Sequence, residues 1–429
     1  MVHNVKLGKN MRSVSIVGIG ATPFMNVIEN PQYKGLTNGE LFGYAALDAM
    51  EDAGVEPRDV QYFFHGSANP HVLNKCITPN IQVADWCGMR GKGSISHSEG
   101  CCTGYIALEE AVFAVASGAY DIVLTGGCDM GCGMPDGNTP DHMRVALTSE
   151  VLFPDLDSIF DRAYGRYLGG GPGMNHDDWI NYYAKENNLS ADVIDDVLNH
   201  QSYHFRRAAA LCERAMRRTT FDELAAEAGY DDVWEYMKSS HNPKMTQYLR
   251  SSSDSGVADG AACCIVVPTE MAHKFNAKPI EVLATAGSAL DAIVPHLEKK
   301  ATAEAARQVY EQTGLTPDDM DLVYVNDFIG ASAFLAAEEI GYLPKGEGWK
   351  YALEGRLAYD GDKPMNTNGG RTSYGHAFGA SGMADIFEAV VQMRGEAGER
   401  QIKKMPKHTF LRGFGGAQNV RATILRANF

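Results

Sequence analysis

The chain has 429 residues, more than one hydrophobic core usually serves, so two domains or an internal duplication is the first expectation. Its formal charge of −16 at pH 7 argues against nucleic acid or an anionic membrane surface as a partner. No uncharged apolar run approaches about 18 residues, and MVHNVKLGKNMRSVSIVG has no apolar stretch before a cleavage site.

Neither a transmembrane helix nor a signal peptide is therefore expected. In chain order, RSVSIVGIGATPF reads as a strand running into a glycine turn. Gly18 and Gly20 invite a dinucleotide reading, but the third glycine is absent and Pro23 follows. LTNGELFGYAALDAMEDAGVEP has helical spacing, with Gly54 and Pro57 as stops. VQYFFHGSANP reads as a buried strand followed by a loop that holds His65. GYIALEEAVFAVASG is an apolar-faced helix beginning near Cys101–Gly104, and YDIVLTGG is a strand.

From about 131 to 250 the texture is longer and more polar, with a glycine-rich turn at Gly169–Gly173, and it reads as an insertion. Within it, HFRRAAALCERAMRR concentrates five arginines in an acidic chain. Arginine pairs well with phosphates, and a solvated helix face fits equally. Alternation resumes at ACCIVV, a strand that places Cys263 and Cys264 in the core. PIEVLATAGSAL, ATAEAARQVYEQTG and MDLVYVND then read as strand, helix and strand. FGASGMADIFEAVVQMRG…FLRGFGG repeats the order of CCTGYIALEEAVFAVASG…IVLTGG: small-residue helix start, apolar helix, strand ending in Gly-Gly. That repeat predicts two βαβ-rich halves, 11–270 and 278–429, with the insertion inside the first.

The nine cysteines are odd in number and include no CxxC pair, so a zinc site at Cys128 and Cys132 is weakly signalled. Scattered thiols fit a reducing cytoplasm. Adjacent cysteines make strained bridges, which leaves Cys101 as a nucleophile or a buried hydrophobe. A helix N-terminus stabilises a thiolate, and this favours the nucleophile.

These segments together resemble the thiolase superfamily. Cys101–Gly104 is similar to its C-x-[ST]-G nucleophile motif, and Gly126–Met130 to GG-x-E-x-M. Ser255–Ala262 resembles S-x-x-x-D-G-A-A, Asn368–Gly382 the GH-x-x-GASG motif, and Gly413–Leu425 the closing C-x-G-G-G strand. The matches span Val14 to Leu425, and the texture is most similar to sterol-carrier-protein-x and archaeal thiolases. The resemblance implies an α/β thiolase fold: duplicated halves in a layered α-β-α-β-α core with a loop-domain insertion.

It also implies a CoA-dependent enzyme that cleaves or forms a 3-oxoacyl-CoA, with coenzyme A as cosubstrate and no metal in this chain. Cys101 falls at the nucleophile and Cys102 at a variable position. His376 falls at the histidine that deprotonates it, and Asn326 where an enolate-binding Asn or His stands. The family's order of Cys, Asn, His separates it from decarboxylating condensing enzymes. A homodimer core and a small zinc-ribbon/OB-fold partner subunit are implied as well.

Three departures stand out. Ala377 replaces the usual proline. Gly413 stands where many relatives carry a second catalytic cysteine, and Phe328 or Ile329 where the sterol-carrier-protein-x branch places one. The general acid/base is then open; His65 is one substitute, and Glu99 a poorer one because its charge would oppose a thiolate. The departures imply a specialised acyl substrate, an aromatic one of the anaerobic-degradation type in view. An acyltransferase or condensing enzyme needing no second acid/base, and a non-catalytic scaffold subunit, remain as alternatives.

Overall fold

The computed structural model describes residues 11–68, 78–132, 172–289, 300–415 and 419–429. The strands of the first half are β1 (Val14–Ala21), β2 (Tyr62–Gly66), β3 (Gly93–His97), β4 (Val123–Met130) and β5 (Asp259–Pro268). Those of the second are β6 (Ile280–Ala289), β7 (Leu322–Val325), β8 (His408–Gly415) and β9 (Asn419–Ala427). The helices are α1 (Asn38–Ala53), α2 (Pro79–Trp86), α3 (Thr103–Ala116), α4 (Pro172–Glu186), α5 (Ala191–Ala210), α6 (Phe221–Glu227), α7 (Val233–Lys238), α8 (Ala301–Thr313), α9 (Ser332–Glu339), α10 (Gly348–Leu353), α11 (Gly370–Tyr374) and α12 (Phe378–Arg394).

The strands form one sheet in the order β3-β2-β4-β5-β1-β6-β9-β8-β7. β2 and β4 run parallel, β4 and β5 antiparallel, and β5 and β1 antiparallel. β7 and β8, β8 and β9, and β9 and β6 repeat those three relations. The two halves thus share one topology, with β3 an additional edge strand of the first. They join where β1 meets β6, at Val14↔Val282 through Ile16↔Ile280.

Three apolar clusters explain the layering. Leu108, Val112 and Val115 of α3 lie with Met383, Ile386 and Val390 of α12 in a central cluster that also holds Ile16, Cys264, Leu411 and Leu425 from both halves of the sheet. Leu41, Phe42 and Ala45 of α1 cover the outer side of the first half with Phe63, Leu124 and Cys263. Ala305 and Val309 of α8 and Phe334 of α9 cover the second with Val323, Phe410 and Ile424. Each of the Val, Leu, Ile, Phe and Met side chains among them contributes about 1.5–3 kcal/mol on burial. The result is helix, half-sheet, helix pair, half-sheet, helix.

Close approach decides the glycines. A Cβ on Gly18 or Gly20 would sit 2.2 Å from the carbonyl oxygen of Ala49 or Ala45, so these residues seat α1 on β1 and cradle no phosphate. α1 itself is closed by a Thr37–Glu40 capping box and by Gly54 at φ 72°. The helices α3 and α12 meet backbone to backbone. A Cβ on Gly104 would lie 2.6 Å from Gly379 O and 2.7 Å from Met383 N.

Gly104→Ala therefore places a methyl against backbone that cannot rotate away. It should cost at least about 1–3 kcal/mol, the usual range for overpacking, read as a lowered Tm. An unchanged Tm would show that the two helices separate freely.

Candidate active site

Cys101 immediately precedes the N-cap of α3, and His376 lies two residues before α12. Because those helices meet at their glycine starts, the two side chains converge. Cys101 Sγ stands 3.0 Å from His376 Nε2, and His376 Nδ1 stands 3.1 Å from Ser381 Oγ. With Nδ1–H donated to Ser381, Nε2 keeps the lone pair that faces the thiol.

The His376 loop is built from three sides. His376 N–H donates to Gly256 O at 2.8 Å, and Ala258 N–H to His376 O at 3.1 Å. Asp129, on β4, accepts from Ser67 Oγ, Ala68 N and Gly379 N at 2.5–2.8 Å, so one carboxylate binds the end of β2 to the start of α12. Arg371 is buried against Asp385, which also accepts from Tyr105 Oη at 2.8 Å. Sequence reasoning passed over Asp129, Arg371 and Tyr105. A buried acid inside GGCDM and an arginine inside NGGR were the available signals.

Burial dominates the electrostatics. It pushes the Cys101 thiol up to about 12; neighbouring Cys102 and Asp129 add to that and Arg371 opposes it. His376 is held well below the ordinary imidazole value by burial and by Arg371. The resting pair is thus neutral thiol beside neutral imidazole. The lowered thiolate pKa expected from the helix terminus is overridden by desolvation.

Asn326 is placed nearby but faces backbone. Its Nδ2 donates to Phe414 O at 2.7 Å, and its Oδ1 accepts from Phe328 N at 3.1 Å. The amide fixes the turn after β7 and is not directed at the thiol. His65 is not brought to the pair. It lies inside β2, not in a following loop, and shares the face of Phe63, because side chains alternate along a strand. Its ring packs edge-on to Phe42 of α1, 4.9 Å between centroids, on the far side of the sheet from α3. Both ring nitrogens lack partners, and burial followed by the nearby His97 lowers its pKa to about 3. It cannot replace a second acid/base there. Glu99 is exposed and accepts from Asn419 Nδ2.

A ring covers the place of a second cysteine at Gly413, and another stands at Phe328, one of the two alternative positions, the other being Ile329. A Cβ on Gly413 would meet the Tyr105 ring at 2.4 Å. Phe328 stacks on His376 at 5.9 Å, and Phe378 lies 5.1 Å from it on the other contact. Phe378 packs with Cys101, Ala68 and Val257. Of the five insertion arginines, three turn inward. Arg206 Nε donates to Ser373 Oγ, Arg214 Nε to Ala21 O, and Arg217 Nη1 to Asp254 O and Thr372 O. Arg207 pairs with Asp360, and Arg218 reaches Ala210 O. Cys128 and Cys132 direct their thiols to the carbonyls of Asn38 and Val257, and no metal-holding group occurs among the described residues. The turn residues 169–171 lie outside the described residues.

Comparisons with known proteins agree with this architecture. A model described as thiolase C-terminal domain-like matches residues 288–427. The chain is 34% identical to sterol carrier protein 2 of Oryctolagus cuniculus, over 97% of this chain and 72% of that protein. It is 29% identical to an acetyl-CoA acetyltransferase of Methanothermobacter thermautotrophicus, over 92% and 94% of the two chains. It is 27% identical to the benzoylsuccinyl-CoA thiolase subunit BbsB of Thauera aromatica, over 96% and 97%. Among solved structures, an Ltp2-ChsH2(DUF35) aldolase chain superposes with a TM-score of 0.74 at 20% identity, over 98% and 99% of the chains.

A thiol whose pKa is raised stays protonated below that value. Iodoacetamide labelling of Cys101 should therefore climb steadily with pH through the range above 9, with no plateau near neutrality. A plateau below pH 7 would show a resting thiolate.

Proposed function

The chain belongs to the thiolase superfamily and is a thiolase enzyme, and from that premise we propose that it cleaves or forms a 3-oxoacyl-CoA through an acyl-enzyme on Cys101. The observation that carries this reading is the 3.0 Å contact between Cys101 Sγ and His376 Nε2. In the cleavage direction the thiol attacks the 3-keto carbon as its proton passes to His376. The C2–C3 bond breaks, and its electron pair leaves on the acyl-CoA fragment as an enolate. His376, now an imidazolium, lies beside that fragment and returns the proton. The thiol of coenzyme A then attacks the acyl carbon, its proton passing through His376 to the departing Cys101 sulfur, and takes the acyl group. One imidazole serves each of these proton transfers, because the positions offered for a second cysteine hold Gly413 under Tyr105, Phe328 against His376, and Ile329.

Asn326 serves this chemistry as support for the Phe328 turn. The aromatic walls at Phe328 and Phe378 favour a flat, apolar acyl group, and the likeness to BbsB supports an aryl substrate. We place the enzyme in the cytoplasm, since every cysteine among the described residues is free. Among those residues no helix is long and apolar enough to cross a membrane. A homodimer would form at the β3 edge, where Ile95, Ile81 and Trp86 are 44%, 65% and 57% exposed. The names BbsB subunit and Ltp2-ChsH2(DUF35) support a second, small partner chain, which would carry any zinc.

Mass spectrometry after brief exposure to substrate should find the acyl adduct on the peptide carrying Cys101. Cys101→Ala should abolish turnover, and Cys102→Ala should keep it; the reverse pattern overturns the assignment. Cys102 directs its thiol to Asn419 O, away from His376.

Thiolysis assayed across linear, branched and aryl 3-oxoacyl-CoAs, with and without a co-expressed small zinc protein, tests substrate and partner together. Aryl turnover that needs the co-purified partner is expected. Full activity of the lone chain on acetoacetyl-CoA, with none on aryl substrates, would overturn both proposals.

A further inference from the structure

We propose that Arg217 is a positioning residue for catalysis, acting through His376; this rests on the Cys101–His376 reading above. Arg217 stands in the insertion, after α5, in a segment of five arginines that sequence alone offers to phosphate. Its guanidinium does something else. Nη1 donates to Asp254 O at 2.9 Å and to Thr372 O at 3.0 Å. Its backbone N–H donates to Ser373 O at 2.9 Å, and the preceding Met216 N–H to Tyr374 O at 3.0 Å. An added Cβ on Gly256 would sit 2.9 Å from Nη2, so the guanidinium fills the space between the two segments.

Those segments are the ones that hold His376. Residues 254–258 form a strap: Asp254 bridges Ile329, Ser255 N–H donates to Phe328 O, and Val257 bridges His376. Gly256 O receives the His376 N–H, and Ala258 N–H returns to His376 O. Thr372 to Tyr374 are the last turn of α11, directly before Gly375 and His376. The two N–H groups of Nη1 therefore pin the strap to α11, and the imidazole sits at their junction. Arginine suits this because its donors are fixed in a plane, so a single group satisfies two carbonyls of different segments. Arg206 gives a parallel tie from α5, through Ser373 Oγ at 2.9 Å.

A misplacement of about 1 Å at a reacting group costs up to ~10²-fold in rate. Arg217→Ala should lower kcat ~10- to 100-fold while leaving KM for coenzyme A and for the 3-oxoacyl-CoA that the unmodified enzyme turns over best within about twofold. Free guanidinium ion, at concentrations that leave the fold intact, should restore part of that kcat. Arg217→Lys keeps the charge but loses the planar guanidinium that fills the space against Gly256, and should stay impaired. Should Arg217→Ala fail to fold, Arg217→Lys and Arg217→Gln carry the same test.

Iodoacetamide labelling of Cys101 supplies a readout that needs no substrate. In the Arg217 variants its pH profile should move to that of His376→Ala. A raised KM for coenzyme A with kcat kept would make Arg217 a phosphate contact. A lowered Tm with kcat and labelling unchanged would make it merely structural. Either result overturns the proposal. If His376→Ala labels like the unmodified chain, the underlying pair is at fault, and Arg217 falls with it for that separate reason.

Discussion

The backbone contact between α3 and α12 is the constraint on which this molecule turns. Two helices can lie this close only where neither carries a side chain at the crossing, and Gly104, Gly379 and Gly382 provide that. Both helices lie in the central cluster that holds Ile16 and Cys264 of one half-sheet and Leu411 and Leu425 of the other, so the contact brings two topologically equivalent halves into one object. It also aligns the helix starts. Cys101 leads into one and His376 into the other, and their 3.0 Å separation follows from the crossing. The polar groups at the junction then reinforce it. Asp129 reaches from β4 to Gly379 N, and Arg371 with Asp385 and Tyr105 fills the gap below. A buried charge is costly to leave unpaired, so these groups specify one relation between the halves as much as they stabilise it.

The same burial sets the reactivity of the pair. A helix terminus contributes on the order of 0.3–1 kcal/mol to a nearby charge, up to about 2 in buried geometry. One pKa unit corresponds to about 1.4 kcal/mol. A thiol held near 12 has therefore lost more to desolvation than the dipole and Arg371 together return. On the proposed mechanism, the thiol would keep its proton until a carbonyl carbon arrives, and the thiolate would form only as it is consumed.

Much of this was legible in the sequence because the motifs mark places where backbones must touch. CxTG and GHxxGASG sit at the helix crossing, SGVADGAA runs from the strap into β5, and the repeat of small-residue helix starts exposed the duplication. What escaped has a physical reason. YFFHG is buried on both faces, so its pattern carries no alternation from which to decide that His65 shares the face of Phe63. The arginines of HFRRAAALCERAMRR look like a phosphate surface, yet three of them end on side-chain hydroxyl or main-chain oxygens brought near only by the fold. Asn326 is a strand-end residue in either view; its two backbone partners are set by the turn at Phe328 and by the close of β8.

The missing cysteine at 413 and the tyrosine at 105 are one feature seen twice. Neither is informative alone, and 308 positions separate them, yet the ring of one lies where the side chain of the other would stand. Restoring a cysteine at 413 would require moving Tyr105, and with it the hydroxyl that Asp385 holds. Phe378 shows the same economy from the other side of the thiol. Its φ of 34° is rare for a residue with a side chain and costs on the order of 1–3 kcal/mol. That strain persists because the ring is caught between Gly131, Val257 and Cys101, and α12 must start at that point for Gly379 to meet Asp129. The aromatic lining around the Cys101–His376 pair is thus a consequence of the crossing, set by the same glycines that bring the two helix starts together.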